Sequence, residues 1–244
     1  MTAKQFRPKK AMIMAAGIGK RMRPLTATTP KPLIEVNGKA LIDHGMDRLA
    51  AAGVETCVVN VHYLADLVEV HVKRTQDMEV LISDERKQLL ETGGGIKKAL
   101  PLLGDEPFFQ LNSDTAYWIE GVKPNLEHMI EAWDESKMDI LLLVSETVNA
   151  VAYNGRGDFD VGKDGSLTRR KERQVTAFAY AGAAIIHPRV FEGAPDGPFS
   201  MNMLFDKAIE EGRLFGVLME GIWLHVGTPE AIRAAEYAVR ESAA

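Results

Sequence analysis

The sequence predicts an α/β fold, a doubly wound and mostly parallel sheet with a smaller second lobe. Three observations lead to it. Over roughly the first 145 residues, short unbroken apolar runs alternate with segments of helical periodicity. A glycine turn, Gly17-Ile18-Gly19, follows the first apolar run, where sheets of this class bend the chain over a ligand. The chain has 244 residues, 46% hydrophobic and 26% charged, enough for one large domain with a substantial core.

The apolar runs lie at 11–15, 54–61, 79–82, 108–111 and 140–144. Unbroken runs this short fit strands buried on both faces. Between them, Leu41, Ile42, Met46, Leu49 and Ala50 recur at helical spacing, and Gly53 stands where a C-terminal cap belongs. Leu64, Leu67, Val68, His71 and Val72 repeat the pattern, as do Leu126, Met129, Ile130 and Trp133. A short helix is expected over 96–103.

Beyond about residue 150 the character changes. The segment 153–160 is polar and glycine-rich, and Lys163-Asp164-Gly165-Ser166 reads as a hairpin turn. Residues 178–186 form a buried strand, 203–209 an amphipathic helix, and 214–218 with 223–226 a strand pair. A closing helix starts near Pro229, with Thr228 as N-cap and Glu230 in its first turn. No linker or low-complexity tract separates the halves. One domain over 1–244 is expected, its halves meeting near residue 145.

The net charge of -5 argues against a nucleic-acid partner. A phosphorylated substrate would then need cations placed locally. Cys57 is the sole cysteine and sits in an apolar run, which points to a buried, inert thiol rather than a disulfide or thiolate metal site. The polar start Met1 to Lys10 reads as no signal peptide, and no apolar run reaches the length of a membrane span. A cytoplasmic protein without membrane contact, monomeric or homodimeric, is expected.

The strongest local signal lies between Ala15 and Leu33. Gly17 and Gly19 let the backbone turn tightly and approach a ligand, and exposed amides there can cradle phosphate oxygens. Met22 stands where a dinucleotide fingerprint has its third glycine, and Pro24, Pro30 and Pro32 keep the segment from becoming a helix. Lys20, Arg21, Arg23 and Lys31 supply the local positive charge that the chain as a whole lacks.

These residues, with the downstream Pro30-Lys31-Pro32-Leu33, resemble the signature of the sugar-1-phosphate nucleotidylyltransferases. The resemblance implies a Rossmann-like nucleotidyltransferase fold, with a nucleotide half at about 10–145 and a sugar half at about 146–244. It implies a reaction joining a nucleoside triphosphate (NTP) to a sugar 1-phosphate with release of pyrophosphate. Arg21 would hold the β and γ phosphates and Lys31 would sit near the α-phosphate. The backbone of Ala15, Ala16 and Gly17, with Gly19, would face base or ribose.

A second glycine cluster, Glu91-Thr92-Gly93-Gly94-Gly95, precedes the 96–103 helix. Three glycines at a helix start cost roughly 0.5–1 kcal/mol each relative to alanine. A tight turn or a close-approaching ligand would account for them. By resemblance Glu91, Thr92, Gly93 and Gly94 line the base, in the version found in bacterial N-acetylmuramate-1-phosphate uridylyltransferases. UTP and N-acetylmuramate 1-phosphate are the expected substrates, with GTP and mannose 1-phosphate the alternative pair.

Asn112-Ser113-Asp114 ends the apolar run 108–111. A carboxylate there suits a metal bridging phosphates, or the N-cap of a following helix. By resemblance Asp114 binds Mg2+, with Mn2+ as the alternative. The family usually reads Trp-x-Asp-x-Gly-Thr near the end, its aspartate being a second metal ligand; here the position holds His225. Mg2+ prefers oxygen ligands and imidazole suits softer metals. Three readings stay open: Asp114 alone holds Mg2+, His225 ligates a softer metal, or the chain is a non-catalytic nucleotide-sugar-binding regulator.

By resemblance the sugar contacts are Asn112, Asn154, Gly157, Asp158 and Gly182. The usual lysine for the sugar phosphate is missing; Arg169, Arg170 and Lys171 fall near its place, or form a solvated hairpin. A dinucleotide-dependent oxidoreductase is disfavoured by the missing third glycine and the proline-rich loop.

Overall fold

Strand β1 (Lys10–Met14) is buried through Ala11, Met12 and Ile13, and its side chains alternate between two cores. Ala11 and Ile13 point to one face of the sheet, Met12 to the other. This is why the run is unbroken rather than alternating. The computed structural model describes residues 5–115 and 117–242, so positions 1–4 of the polar start lie outside it.

After the glycine loop come a two-residue ribbon, β2 (Glu35–Val36) and β3 (Lys39–Ala40), and helix α1 (Leu41–Ala51). Then β4 (Thr56–Val61), α2 (Ala65–Val72) and β5 (Glu79–Asp84) follow. Helix α3 (Glu91–Leu103) leads to β6 (Phe108–Asn112), β7 (Trp118–Glu120) and α4 (Asn125–Ala132). The second half contributes β8 (Ile140–Glu146), the hairpin β9 (Phe159–Val161) and β10 (Leu167–Arg169), β11 (Phe178–Ile186) and α5 (Met201–Glu210). It closes with β12 (Leu214–Leu218), β13 (Gly221–Trp223) and α6 (Pro229–Ser242).

Strands β6, β1, β4 and β5 lie side by side and parallel. Beyond β6 comes β11, antiparallel to both β6 and β8, and β12 closes that edge parallel to β8. The β9–β10 hairpin joins the start of β11 through Phe178 and Phe159. Both halves thus share one mixed, mostly parallel sheet. Helices α1, α2 and α4 cover the face that takes Ile13, and α3 and α5 the face that takes Met12. A third cluster joins Met22 and Ile34 of the loop to Leu224, Val226 and Ala235 of α6.

Two expectations need correction. The helix expected at 96–103 starts five residues earlier, at Glu91, and takes in all three glycines. Residues 214–218 and 223–226 do not pair with each other: β12 adds to β8, β13 pairs with β7, and Leu224 bridges Val151. Cys57 is fully buried, and burial pushes its thiol up to about 12, so it is inert. Among the described residues no helix is long and apolar enough to cross a membrane.

Candidate active site

The parallel register sets Met14 opposite Asn60 of β4 and Asn112 of β6. The carboxyl ends of three strands therefore open at one level. A cleft of about 450 Å3 lies there, lined by Ala15, Ala16 and Gly17 on one side and Leu89, Glu91 and Thr92 on the other. Lys31, Asn112, Ser113 and Asp114 form its floor, with Asn60 and Ser200 also on its wall.

The glycine loop holds its shape through its own contacts. Gly19 adopts φ 67°, a left-handed conformation, and its carbonyl accepts from the hydroxyl of Thr26 at 2.9 Å. A Cβ at Gly19 would stand 2.9 Å from Thr26 Cγ2 and 3.1 Å from Lys31 Cβ. Gly19 thus shapes the loop from within, whereas a Cβ at Gly17 would meet nothing within 4 Å. Tyr63 Oη ties the loop to the sheet by donating to the carbonyl of Thr26 at 2.7 Å.

Lys31, only 8% exposed, turns its ammonium onto Asp114 Oδ2. Arg21 is exposed on the same loop, beside the Gly227 turn: a Cβ at Gly227 would stand 3.5 Å from Arg21 Nη1 and 2.8 Å from His225 Nε2. Burial pushes the His225 imidazole below its ordinary value; Asp114 opposes this, and Arg21 and Lys31 reinforce it. The rings of Trp223 and Tyr153 meet it edge-on at 5.2 and 5.5 Å, and its Nδ1 is buried without a partner.

The donor set accommodates a metal in a limited way. Among the described residues no group of three or more His, Cys, Asp or Glu side chains could enclose an ion. Asp114 offers one carboxylate, and the His225 imidazole has an uncommitted nitrogen. A hard cation held by one carboxylate completes its shell with substrate oxygens and water, and this is the habit of Mg2+.

The second glycine cluster answers to the protein itself. A Cβ at Gly93 would stand 2.3 Å from the Phe199 ring, and one at Gly94 would stand 2.2 Å from the Gly197 carbonyl. The amides of Gly93 and Gly94 both donate to Phe199 O, at 2.8 and 3.1 Å. A tight turn or a ligand was expected to account for these glycines; the close neighbour of Gly93 and Gly94 is the 197–200 segment, and neither residue lines the cleft. Glu91 and Thr92 do, Glu91 at φ 59°.

The sugar candidates divide. Asn112 is on the cleft floor, its Oδ1 accepting from Gln110 Nε2 at 2.9 Å. Gln110 Oε1 accepts from Tyr180, whose burial pushes the phenol up, and Tyr180 N donates to Asp158 Oδ2 at 2.9 Å. Asp158 is thereby linked to the floor and lies near His225. Asn154 is exposed, and Gly157 is packed with its Cβ position 2.4 Å from Thr176 O. Gly182, at φ 85°, sits in the irregularity between Tyr180 and Ala184. Arg169 and Arg170 are committed: Arg169 to Asp206 and Asn202 over the Phe159 ring, Arg170 to carbonyls of Gly157 and Gln174. They brace the hairpin.

Asn60 was not legible as a site residue, although a buried polar residue inside an apolar strand was a usable signal. Its Oδ1 accepts from Ala15 N at 2.7 Å and its Nδ2 donates to the buried Glu85 at 2.7 Å.

Residues 10–242 match the family described as Nucleotidyl transferase. The N-acetylmuramate alpha-1-phosphate uridylyltransferase of Caulobacter vibrioides is 46% identical over 239 residues, 96% of this chain and 98% of that protein. The protein of the same description from Neisseria meningitidis serogroup B is 34% identical over 235 residues, 93% and 96% of the two chains. Among solved structures, a UDP-glucose pyrophosphorylase complexed with UDP-glucose superposes with a TM-score of 0.76 at 19% identity, over 96% of this chain and 99% of that one. At that identity it speaks for the fold.

Proposed function

The chain belongs to the nucleotidyl transferase family, and from that premise we propose that it transfers a uridylyl group from UTP to N-acetylmuramate 1-phosphate, releasing pyrophosphate. The observation that carries the chemistry is the cleft at the carboxyl ends of β1, β4 and β6, where a glycine loop, Lys31 and Asp114 converge. The near full-length identity to two relatives described as uridylyltransferases supports the choice of substrates.

An oxygen of the sugar phosphate attacks the α-phosphorus in line. The new O–P bond forms as the bond to the β-phosphate oxygen breaks, and pyrophosphate leaves with that electron pair. No protein nucleophile is needed. Catalysis is positioning and charge neutralisation. Arg21, on the exposed rim, meets the β and γ phosphates, and Lys31 swings from Asp114 to the α-phosphate. Asp114 would hold Mg2+, which when bound neutralises phosphate charge. His225 stays neutral and adds a hydrogen bond rather than a second negative charge.

Pyrophosphate release from four NTPs against several sugar 1-phosphates, each with Mg2+ and Mn2+, tests this reading. The largest kcat/KM is expected for UTP with N-acetylmuramate 1-phosphate and Mg2+. A preference for GTP with mannose 1-phosphate would replace the substrates. Nucleotide-sugar binding without turnover under every condition would replace the enzyme by a regulator.

A further inference from the structure

Glu85 follows β5 directly, and its side chain is 1% exposed. Both carboxyl oxygens are taken by neutral donors: Oε1 by Asn60 Nδ2 at 2.7 Å, Oε2 by the Leu90 amide at 2.9 Å. Its own carbonyl accepts from the Gln88 amide and meets His62 Nδ1 at 2.8 Å, so the residue is pinned at main chain and side chain alike. Asn60, equally buried, passes the connection on by accepting from Ala15 N at 2.7 Å.

The two ends of this relay are the two walls of the cleft. Ala15 opens the glycine loop, and Leu90 lies between the wall residues Leu89 and Glu91. A Cβ at Gly95 would stand 2.8 Å from Glu85 Oε1 and 3.0 Å from Asn60 Nδ2, so the third glycine makes room for the relay. Burying a carboxyl group among neutral donors is costly, and packing alone would be served as well by an apolar side chain.

We propose that Glu85, acting through Asn60, is a positioning residue that sets the separation of the two cleft walls and so the affinity for the nucleotide. This rests on the cleft being the nucleotide site. Glu85 itself touches no substrate.

The donor pattern supplies a sharp test. In Glu85→Gln the amide group presents a donor to either Leu90 N or Asn60 Nδ2, both donors themselves, and one tie is lost. In Asn60→Asp two carboxyl groups face one another. In the double variant Glu85→Gln, Asn60→Asp the new amide donates to the new carboxylate, which still accepts from Ala15 N, while the amide oxygen accepts from Leu90 N. The full relay is restored with its middle bond reversed.

For Glu85→Gln, KM for UTP should rise at least about tenfold, with kcat within about threefold and KM for the sugar phosphate unmoved. Asn60→Asp should raise KM for UTP likewise, and the double variant should return it to within about threefold of wild type. Amide exchange on the wild-type protein gives a measurement independent of the variants' folding. Ala15 and Leu90 amides should be protected before any nucleotide is added. Unchanged KM in Glu85→Gln, a folded double variant without recovery, or free exchange at Ala15 and Leu90 would overturn the proposal. Wild-type turnover in the same assay tests the nucleotide site separately.

Discussion

Lys31 and Asp114 form an ion pair on the cleft floor, joining the glycine loop to the chain just beyond β6. The lysine is nearly buried and its partner is partly open to the cleft, with side-chain exposures of 9% and 24%. The Asp114 carboxylate that would hold a metal is thus already partnered. Anything that binds Asp114 must compete with Lys31 or release it toward the substrate.

Chelation should therefore stop turnover, and Mg2+ should restore it. Asp114→Asn should abolish activity even with excess metal, whereas His225→Ala should cost only a few-fold. Arg21→Ala should lower kcat/KM at least about a hundredfold, about 3 kcal/mol, with Tm unchanged because the side chain is exposed. Steady-state rates at saturating and limiting UTP separate these outcomes. Wild-type turnover in Arg21→Ala would remove the arginine from the phosphate site.

The glycines should split into two classes. Gly17→Ala adds a methyl group where nothing lies within 4 Å, so Tm should hold while KM for the nucleotide rises. Gly94→Ala drives a methyl group to 2.2 Å from the Gly197 carbonyl, a backbone atom that cannot step aside cheaply. A loss of about 2 kcal/mol is expected in urea unfolding, within the range for overpacked sites. Equal stability of the two variants would contradict this packing.

Away from the cleft, Asp139 accepts from Arg189 Nε and Arg213 Nε, each at 2.7 Å. The three residues join the start of β8 to the chain after β11 and before β12. Asp139→Asn takes a counter-charge from both guanidinium groups and leaves Arg189 only Glu135, at 3.3 Å. About 2–3 kcal/mol of stability should go, discounted because the arginines are 32% and 28% exposed. Activity at low temperature should survive; a variant as stable as wild type would show the cluster to be ornamental.

His44 on α1 meets Val36 O through Nε2 at 3.1 Å. Burial pushes its imidazole below the ordinary value, reinforced by Arg48 and Lys39 and opposed by that hydrogen bond and Asp47. The unfolded chain therefore takes up the proton first as pH falls. Stability from this residue is present above the ordinary histidine range near 6.5 and declines as pH drops toward the folded value. Melting curves between pH 7.5 and 5.5 should fall less steeply for His44→Gln than for wild type. Parallel slopes would assign the acid sensitivity to other groups.

Much of the fold was legible because its signals are local. The runs at 11–15, 54–61 and 108–111 became β1, β4 and β6 with ends shifted by at most two residues. Periodicity placed α1 and α4, and Lys163 to Ser166 turns the β9–β10 hairpin as expected. Partner choice was not local. Nothing in 214–226 says that β12 joins β8 while β13 leaves for β7.

The candidate site divides in the same way. Loop composition pointed to Gly17 and Lys31, the end of an apolar run to Asp114, and the family resemblance to Glu91, and all four line one cleft at the strand ends. The sequence by itself therefore determined the class of sheet, the loop that faces the cleft and the charged groups available there. Only the tertiary structure decided that Gly93 and Gly94 serve Phe199 and Gly197, that Arg169 braces a hairpin, and that Glu85 ties Leu90 to Ala15 through Asn60. A hydrogen bond or a close contact between residues far apart in the chain depends on where several elements come to rest. No window of sequence contains that sum.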